Sequence, residues 1–199
     1  MEKFTTLSAI AAPFPQKNVD TDFIIRVERC TGTPREELGN YAFEMARFLP
    51  GGAENPAFVL NQPRYRDAKI MICGEFFGTG SSREMAVWAL AGMGVRCLIA
   101  PSYGQIFFGN CFQNGVLPIT LPPESVASLA KQAAAPDAKP FTVDLEQQTV
   151  NGTIRFDVAP RHRKMLLEGL DEIGLTLALE PKIAAFQAED RARRPWIYS

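Results

Sequence analysis

Two serines and an arginine, Ser81-Ser82-Arg83, stand directly after two closely spaced glycines, Gly78 and Gly80. A serine hydroxyl can accept or donate a proton, and an arginine guanidinium can bind a carboxylate through two parallel hydrogen bonds. Because Ser81 and Glu84 fit a capping box, the sequence predicts that a helix begins at the serines. The free backbone N–H groups of that first turn would favour an anion. The segment therefore predicts an anion pocket that contains hydroxyl groups.

The same residues also fit plainer interpretations. A Ser-x-x-Glu capping box is a common way to begin a helix and by itself implies no chemistry. A phosphate-binding loop is a rival interpretation of Gly78 and Gly80, but the sequence lacks the G-x-x-x-x-G-K-[ST] pattern. From residue types alone, a simple helix cap and an anion site both remain open.

A second polar segment, Asn18-Val19-Asp20-Thr21-Asp22, precedes the apolar residues 23–25. Asn, Asp and Thr side chains can bond to their own backbone and set a turn. The segment is therefore either a local turn or a second polar wall of the site, because loops on a rigid scaffold often carry function.

The elements around Ser81 indicate an α/β core. Short apolar runs at 69–73 and 95–100 predict buried strands, and the helical spacing of Met85, Trp88 and Ala89 predicts the helix between them. Strand, helix and strand over this length form a βαβ unit with parallel strands. A helix over 105–111, a strand over 116–119 and a helix over 123–134 continue the alternation.

The remaining segments complete the expected secondary structure. A first strand is predicted over 1–12, ended by Pro13, and a helix over 34–48. Alternating runs at 141–145 and 153–157, separated by Asn151-Gly152, predict a β-hairpin. Helices are expected over 160–169 and about 181–192.

The composition is ordinary for a soluble globular protein. The chain has 199 residues, 46% hydrophobic and 22% charged, with a net charge of −1. This balance argues against a nucleic-acid or membrane partner, and no apolar run reaches the roughly 18 residues of a membrane span. Without a signal-peptide core near the start, the expected location is cytoplasmic. The basic runs at 161–164, which include His162, and 191–194 are interpreted as solvated surface.

The cysteines do not form a recognisable metal motif. Cys30, Cys73, Cys97 and Cys111 include no C-x-x-C pair, and Cys73 and Cys97 lie in apolar strands. Buried reduced thiols behave as small hydrophobic groups. The sequence therefore predicts no metal site, no iron–sulfur cluster and no disulfide framework on this chain.

Blocks distributed in order over nearly the whole chain resemble the small subunit family of 3-isopropylmalate dehydratases. The G-S-S-R-E block is shared with the wider aconitase family, and the other blocks point to the isopropylmalate branch. The matching blocks are residues 18–22, 58–61, 76–84, 99–102, 106–107, 110–114 and 169–177.

The resemblance implies a fold, a partner and a reaction. The implied fold is an α/β swivelling β/β/α three-layer domain over 1–199, with a mostly parallel core sheet, an additional β-hairpin and a C-terminal helical tail at about 181–199. It also implies a separate large subunit that carries a [4Fe–4S] cluster, while this chain binds no cofactor. The implied reaction is the conversion of 2-isopropylmalate to 3-isopropylmalate by dehydration and rehydration, a step of leucine biosynthesis.

The resemblance also implies roles for individual residues. Ser81 matches the serine that removes a proton from the carbon beside a carboxylate. Arg83 matches the arginine that binds a substrate carboxylate, and Gly80 and Ser82 match neighbouring substrate contacts. Asp20 and Thr21, in the polar segment before residue 23, complete the expected substrate-binding set.

Three residues depart from the family pattern. Thr79 stands where the family usually has cysteine, Met85 where it usually has histidine, and Arg26 where the isopropylmalate branch typically has proline. These changes leave open a paralogous small subunit that acts on a related alkylmalate or another di- or tricarboxylate, because fold and family do not fix the substrate. A non-catalytic carboxylate-binding module also stays open.

Overall fold

Two four-stranded sheets organise residues 1–198, the part of the chain that the computed structural model describes. The strands are β1 Thr6–Ala9, β2 Ala11–Phe14, β3 Ile70–Cys73, β4 Cys97–Ala100, β5 Leu117–Thr120, β6 Phe141–Asp144, β7 Thr149–Val150 and β8 Ile154–Arg155. The α-helices are α1 Thr21–Ile24, α2 Val27–Cys30, α3 Leu38–Tyr41, α4 Glu44–Arg47, α5 Met85–Gly92, α6 Gln105–Gln113, α7 Pro123–Ala134, α8 Pro160–Glu168, α9 Glu172–Leu177 and α10 Glu180–Arg193. Short 3₁₀ helices cover Arg35–Glu37, Val59–Asn61 and Pro195–Ile197.

The central sheet is parallel and follows chain order, β2-β3-β4-β5. Its strands are apolar on both faces because both faces are covered. In β3, Ile70 and Ile72 pack into one apolar cluster, with β6 and α7, while Met71 and Cys73 pack into another, with α5 and α6. The predicted βαβ unit is confirmed by the parallel pairing of β3 with β4 around α5.

The second sheet is antiparallel, with strand order β1-β6-β7-β8. Phe141 and Val143 of β6 are buried, whereas Thr142 between them is exposed, as expected for a strand with one face on a core. The buried face joins the apolar cluster beneath the parallel sheet. The layers are therefore an antiparallel sheet, a parallel sheet and helices, which confirms the predicted β/β/α class.

Two predictions about the first half of the chain are wrong. Pro13 does not end a strand, because it lies within β2 opposite Ile72. A proline is tolerated there since β2 is an edge strand of its sheet. The single helix predicted over 34–48 is instead a 3₁₀ turn followed by α3 and α4, which are separated at Phe43, a buried residue with φ of +55°.

The predicted hairpin also has a different pairing. Asn151-Gly152 joins β7 to β8, while β6 pairs with β1 and β7. An extra reversal follows β6, where the Asp144 carboxylate accepts a 2.8 Å hydrogen bond from the Gln147 N–H. That turn is formed by an Asp side chain and carries no Asn-Gly signal.

The C-terminal helices leave most of their surface exposed. Asp190 is the buried residue of α10, held by Arg194 at 2.6 Å and by the Tyr198 hydroxyl at 2.8 Å. The predicted last helix is confirmed, and the predicted tail ends on Ser199, outside the described residues. Over residues 1–198, no helix combines the length and apolar character that crossing a bilayer requires.

Candidate functional site

The loops that follow β2, β3 and β4 meet at the carboxyl end of the parallel sheet. The carbonyl oxygen of Val19 accepts from the N–H of Gly78 at 2.7 Å, and that of Thr79 accepts from the N–H of Thr21 at 2.9 Å. On the other side, the N–H of Phe77 donates to the Ser102 carbonyl at 3.1 Å. Ligands of open α/β sheets bind at this edge. The topology therefore brings residues 18–22 against residues 76–83, as a two-walled site requires.

Gly78 permits the close packing of this loop on α6. Its φ is +73°, a conformation that disfavours residues with a Cβ atom, and a Cβ at this position would overlap the ring of Phe107. Phe107 is itself almost fully buried. The glycine is therefore required by both the backbone angle and the space available.

Replacing Gly78 with alanine is expected to destabilise the chain by about 2–4 kcal/mol, since left-handed strain adds to overpacking. Gly109→Ala is the matched control, because a Cβ added at this position in α6 would have no atom within 4 Å. In a helix interior, alanine should raise stability by about 0.5–1 kcal/mol. Urea unfolding measures both, and equal stability of the two variants would contradict the packing argument.

The predicted helix start at the serines is wrong. Helix α5 begins at Met85, with Glu84 as its N-cap residue, and no capping-box bond joins Ser81 to Glu84. Instead, the Ser81 N–H donates to the Thr21 hydroxyl at 3.2 Å, and the Glu84 carboxylate accepts from the Asn114 side chain at 2.7 Å. Tertiary bonds thus replace the local ones. The positive charge of the pocket therefore comes from Arg83 rather than from a helix N-terminus at Ser81.

Arg83 forms an ion pair with Asp22, with 2.6 Å between Nη1 and Oδ1. The Arg83 side chain is 19% exposed and that of Asp22 is 58% exposed. The hydrogen bond from Arg83 lowers the pKa of Asp22, helped by the Val27 N–H, which also donates to Oδ1. Asp22 was part of the predicted polar wall but was left out of the predicted substrate-binding residues. Its signal was present, since Asp22 ends the same polar run as Asp20 and Thr21.

The structure brings the predicted substrate-binding residues together and gives each a defined setting. Gly80, Ser81 and Ser82 are exposed, as groups that meet a substrate must be. Thr21 is only 1% exposed, and its hydroxyl supports the Ser81 backbone. Asp20 caps α1 by accepting from the Phe23 N–H at 2.7 Å. Direct substrate contacts for these residues stay predictions.

The three departures from the family pattern occupy different surroundings. Thr79 forms an isolated bridge with Asp20, between the two walls of the site. Met85 is partly buried and packs against the apolar cluster on the helical side of the parallel sheet. Arg26 pairs with Glu28 at 2.9 Å and with Glu44 at 3.5 Å, and its charge contributes to the lowered pKa of Asp22. Arg26 is therefore close enough to the ion pair to influence the pocket.

The cysteines of this chain do not suit an iron–sulfur cluster. Such clusters are held by thiolates, yet burial raises the pKa of Cys73 and of Cys111 well above the ordinary value. No group of three or more His, Cys, Asp or Glu side chains within residues 1–198 is arranged to hold a metal ion. The buried thiols of Cys73 and Cys111 are therefore poor ligands for a cluster.

His162 has a structural setting rather than the solvated one that the sequence predicted. Its ring stacks on Phe112, with the ring centroids 4.1 Å apart and the planes at 12°. Burial lowers its pKa below the ordinary value of 6.5. The ring thus packs between α6 and α8, and the prediction of a solvated helix face is wrong for this residue.

Comparison with known families gives two matches. The family model described as the aconitase C-terminal domain matches residues 1–124, which include every residue of the site described above. The family model for the C-terminal domain of the 3-isopropylmalate dehydratase small subunit matches residues 172–198, which cover α9, α10 and the turn after them.

Individual relatives match over the full length. The chain is 51% identical to the 3-isopropylmalate dehydratase small subunit of Dinoroseobacter shibae, over 99% of this chain and 100% of that protein. It is 49% identical to the protein of the same name from Paramagnetospirillum magneticum, with the same coverage. A crystal structure of 3-isopropylmalate dehydratase from Methanocaldococcus jannaschii is similar in fold, with a TM-score of 0.63, 23% identity and coverage of 93% of this chain and 99% of that one.

Proposed function

Since the chain belongs to the family of 3-isopropylmalate dehydratase small subunits, we propose that it is the small subunit of a hydro-lyase that converts 2-isopropylmalate to 3-isopropylmalate in leucine biosynthesis. The observation that carries the proposal is that the exposed Ser81 and the Arg83 guanidinium are held at the carboxyl end of the parallel sheet by neighbouring residues of the opposite wall, Thr21 and Asp22. Full-length identity of 51% to a protein of that name supports the same substrate.

We propose that Ser81 and Arg83 act on the carbon next to a carboxylate. Ser81, as its alkoxide, takes the proton from that carbon, the electron pair of the C–H bond forms the double bond, and the hydroxyl group on the neighbouring carbon leaves as hydroxide. In rehydration the Ser81 hydroxyl returns its proton to one carbon of the double bond and hydroxide adds to the other, which leaves Ser81 as the alkoxide again. A free serine hydroxyl is a weak base, so the alkoxide needs a positive environment. Arg83 supplies that charge and also holds the carboxylate.

The proposal requires a second subunit. Ser81 and Ser82 lie open to solvent in this chain, whereas catalytic electrostatics are strongest where water is excluded. We propose that both serines are covered by a large subunit, which carries a [4Fe–4S] cluster and completes the site. The printed name of the relatives, small subunit, supports such a partner. A single swivelling domain over 1–199 and a cytoplasmic location belong to the same proposal and stay predictions.

Asp22 is expected to orient Arg83 for the substrate. Asp22→Asn keeps an oxygen acceptor but loses the charge. A neutral hydrogen bond contributes roughly half of the free energy of a charge-assisted one, so kcat/KM should fall about tenfold. Glu54→Gln is the control, since Glu54 is another exposed carboxylate paired with an arginine, Arg66. Steady-state kinetics of the reconstituted pair measure both variants. An Asp22→Asn enzyme as active as the control would contradict the orienting role.

In the wild-type chain, the ion pair between Asp22 and Arg83 should persist at acidic pH. The pKa of Asp22 in the folded chain is lowered from its ordinary value of 3.8. The stability that the ion pair contributes is therefore fully present above pH 3.8, and it is lost as the pH falls through the lowered pKa. The exposed position of Asp22 keeps this contribution small.

The second candidate function is the same type of reaction on a related substrate, and the residues that favour it are Met85 and Arg26. Met85 places an apolar side chain at the first position of α5, and Arg26 adds a cation near Asp22. The test is product analysis of the pair, reconstituted with a large subunit, on a panel of alkylmalates and tricarboxylates. The highest kcat/KM on 2-isopropylmalate supports the main proposal, and a higher value on another hydroxy acid supports the second. Binding of a dicarboxylate without turnover of any substrate would support a non-catalytic module.

A further inference from the structure

The segment that carries Ser81 and Arg83 has no regular secondary structure to hold it. It follows Gly80, whose φ is +95°, and precedes the first residue of α5. The side-chain contacts that hold it include the Thr21 hydroxyl at Ser81, the Asp22 carboxylate at Arg83, and the Asn114 amide at Glu84; Arg83 also contacts the Cys30 side chain. The first two come from the opposite wall of the site, whereas Asn114 comes from the end of α6.

The side-chain amide of Asn114 is fully hydrogen-bonded. Its Nδ2 donates to Glu84 Oε1 at 2.7 Å and to the Asn110 carbonyl at 2.9 Å. Its Oδ1 accepts from Trp88 Nε1 at 2.9 Å and from Arg35 Nη2 at 2.7 Å. Two donors and two acceptor positions exhaust what an asparagine amide offers. The amide is therefore fixed in one orientation, with its N–H directed at Glu84.

Glu84 depends on this amide. In residues 1–198 its carboxylate forms no salt bridge, and Asn114 is the hydrogen-bond donor to its side chain. Glu84 directly follows Arg83 and is the N-cap residue of α5, where its carbonyl accepts from the Trp88 N–H at 3.2 Å. A shift of Glu84 would move the guanidinium of Arg83 with it. Misplacing a substrate-binding group by about 1 Å can cost as much as 100-fold in rate.

We propose that Asn114 is a positioning residue for the Ser81–Arg83 site and acts through Glu84. The proposal rests on the proposed function for its effect on turnover, but the structural link itself can be tested without turnover. Asn114 lies at the end of α6, and its side chain bonds to Glu84 and Trp88 of α5 rather than to Ser81 or Arg83, so we assign it a positioning role and not a catalytic one. The bond to Glu84 gives it a role beyond filling space at the end of a helix.

The test uses Asn114→Asp and a second-site rescue. An aspartate at this position can still accept from Trp88 and Arg35, but its second oxygen would face the Glu84 carboxylate, and like charges repel. Adding Glu84→Gln should restore a hydrogen bond between the two side chains with donor and acceptor exchanged, because the glutamine amide at position 84 can donate to the aspartate at position 114. We expect kcat/KM of the reconstituted pair to fall at least about tenfold in Asn114→Asp and to recover most of that loss in the double variant.

A further readout separates positioning from general stability. Hydrogen exchange of the isolated full-length chain should accelerate over residues 79–86 in Asn114→Asp, stay unchanged over β3, and return to the wild-type rate in the double variant. Wild-type exchange over 79–86 in Asn114→Asp would overturn the proposal, as would a double variant no better than the single one.

The same design distinguishes the failure of each proposal. If the wild-type pair turns over no substrate, the proposed function fails while hydrogen exchange still decides whether Asn114 holds the segment. If the pair is active and Asn114→Asp matches it in both exchange and kinetics, the positioning role fails alone.

Discussion

Ser81→Ala is expected to reduce kcat of the reconstituted pair by about 10²–10⁴-fold, the range that removal of a general base produces. Alanine offers no oxygen to take the proton from the carbon beside the substrate carboxylate. KM should change little, because Arg83 and the Asp22 contact stay in place. Steady-state rates of formation of the unsaturated intermediate measure the effect.

Ser81→Ala should affect the catalytic step and leave folding and subunit binding unchanged. The Ser81 side chain is exposed, and its structural bond to Thr21 uses the backbone N–H, which alanine retains. Thermal unfolding and binding to the large subunit should therefore match wild type. Ser128→Ala, at an exposed serine of α7, is the control and should keep full activity. If Ser81→Ala retained more than about a tenth of wild-type kcat, Ser81 would not be the base.

Arg83→Lys is expected to raise KM about 10- to 100-fold, which corresponds to the roughly 1.5–3 kcal/mol of a hydrogen bond to a charged group. Lysine keeps the charge but lacks the planar fork that can bond to a carboxylate while also meeting Asp22. Binding of a dicarboxylate inhibitor should weaken by a similar factor. Kinetics across substrate concentration, together with inhibition constants, measure both.

Arg66→Lys provides the matched comparison for this variant. Arg66 also pairs with a carboxylate, Glu54, but on the exposed loop before β3. Its replacement should leave KM and kcat within about twofold of wild type, as expected for a surface pair. Unchanged KM and kcat in Arg83→Lys would contradict the proposal that Arg83 binds the substrate carboxylate. A loss confined to kcat would place the role of Arg83 in the transition state instead.

The fold could be predicted from the sequence where a local pattern of apolar residues determines how distant elements pair. The apolar runs that became β3 and β4, with the helical spacing between them, sufficed for the parallel βαβ unit. Pro13 was misinterpreted because its tolerance depends on β2 lying at a sheet edge, which no local pattern shows.

The site was predictable in its residues but less so in its local structure. Ser81 and Arg83 do lie at the carboxyl end of the sheet, facing residues 20–22. The capping box failed because its members found partners far along the chain, Thr21 for Ser81 and Asn114 for Glu84. A local motif competes with such tertiary bonds, and the sequence alone does not reveal which of them form. For the same reason the Asp22–Arg83 pair emerged only from the structure.

We propose that this chain supplies half of a dehydratase site. The most direct measurement mixes the full-length chain anaerobically with a cluster-loaded large subunit of the family and 2-isopropylmalate, and follows the absorbance of the unsaturated intermediate. We expect no turnover by either subunit alone, and turnover by the mixture that saturates as this chain is added. Turnover by one subunit alone, or an inactive mixture of two folded subunits that bind each other, would contradict it.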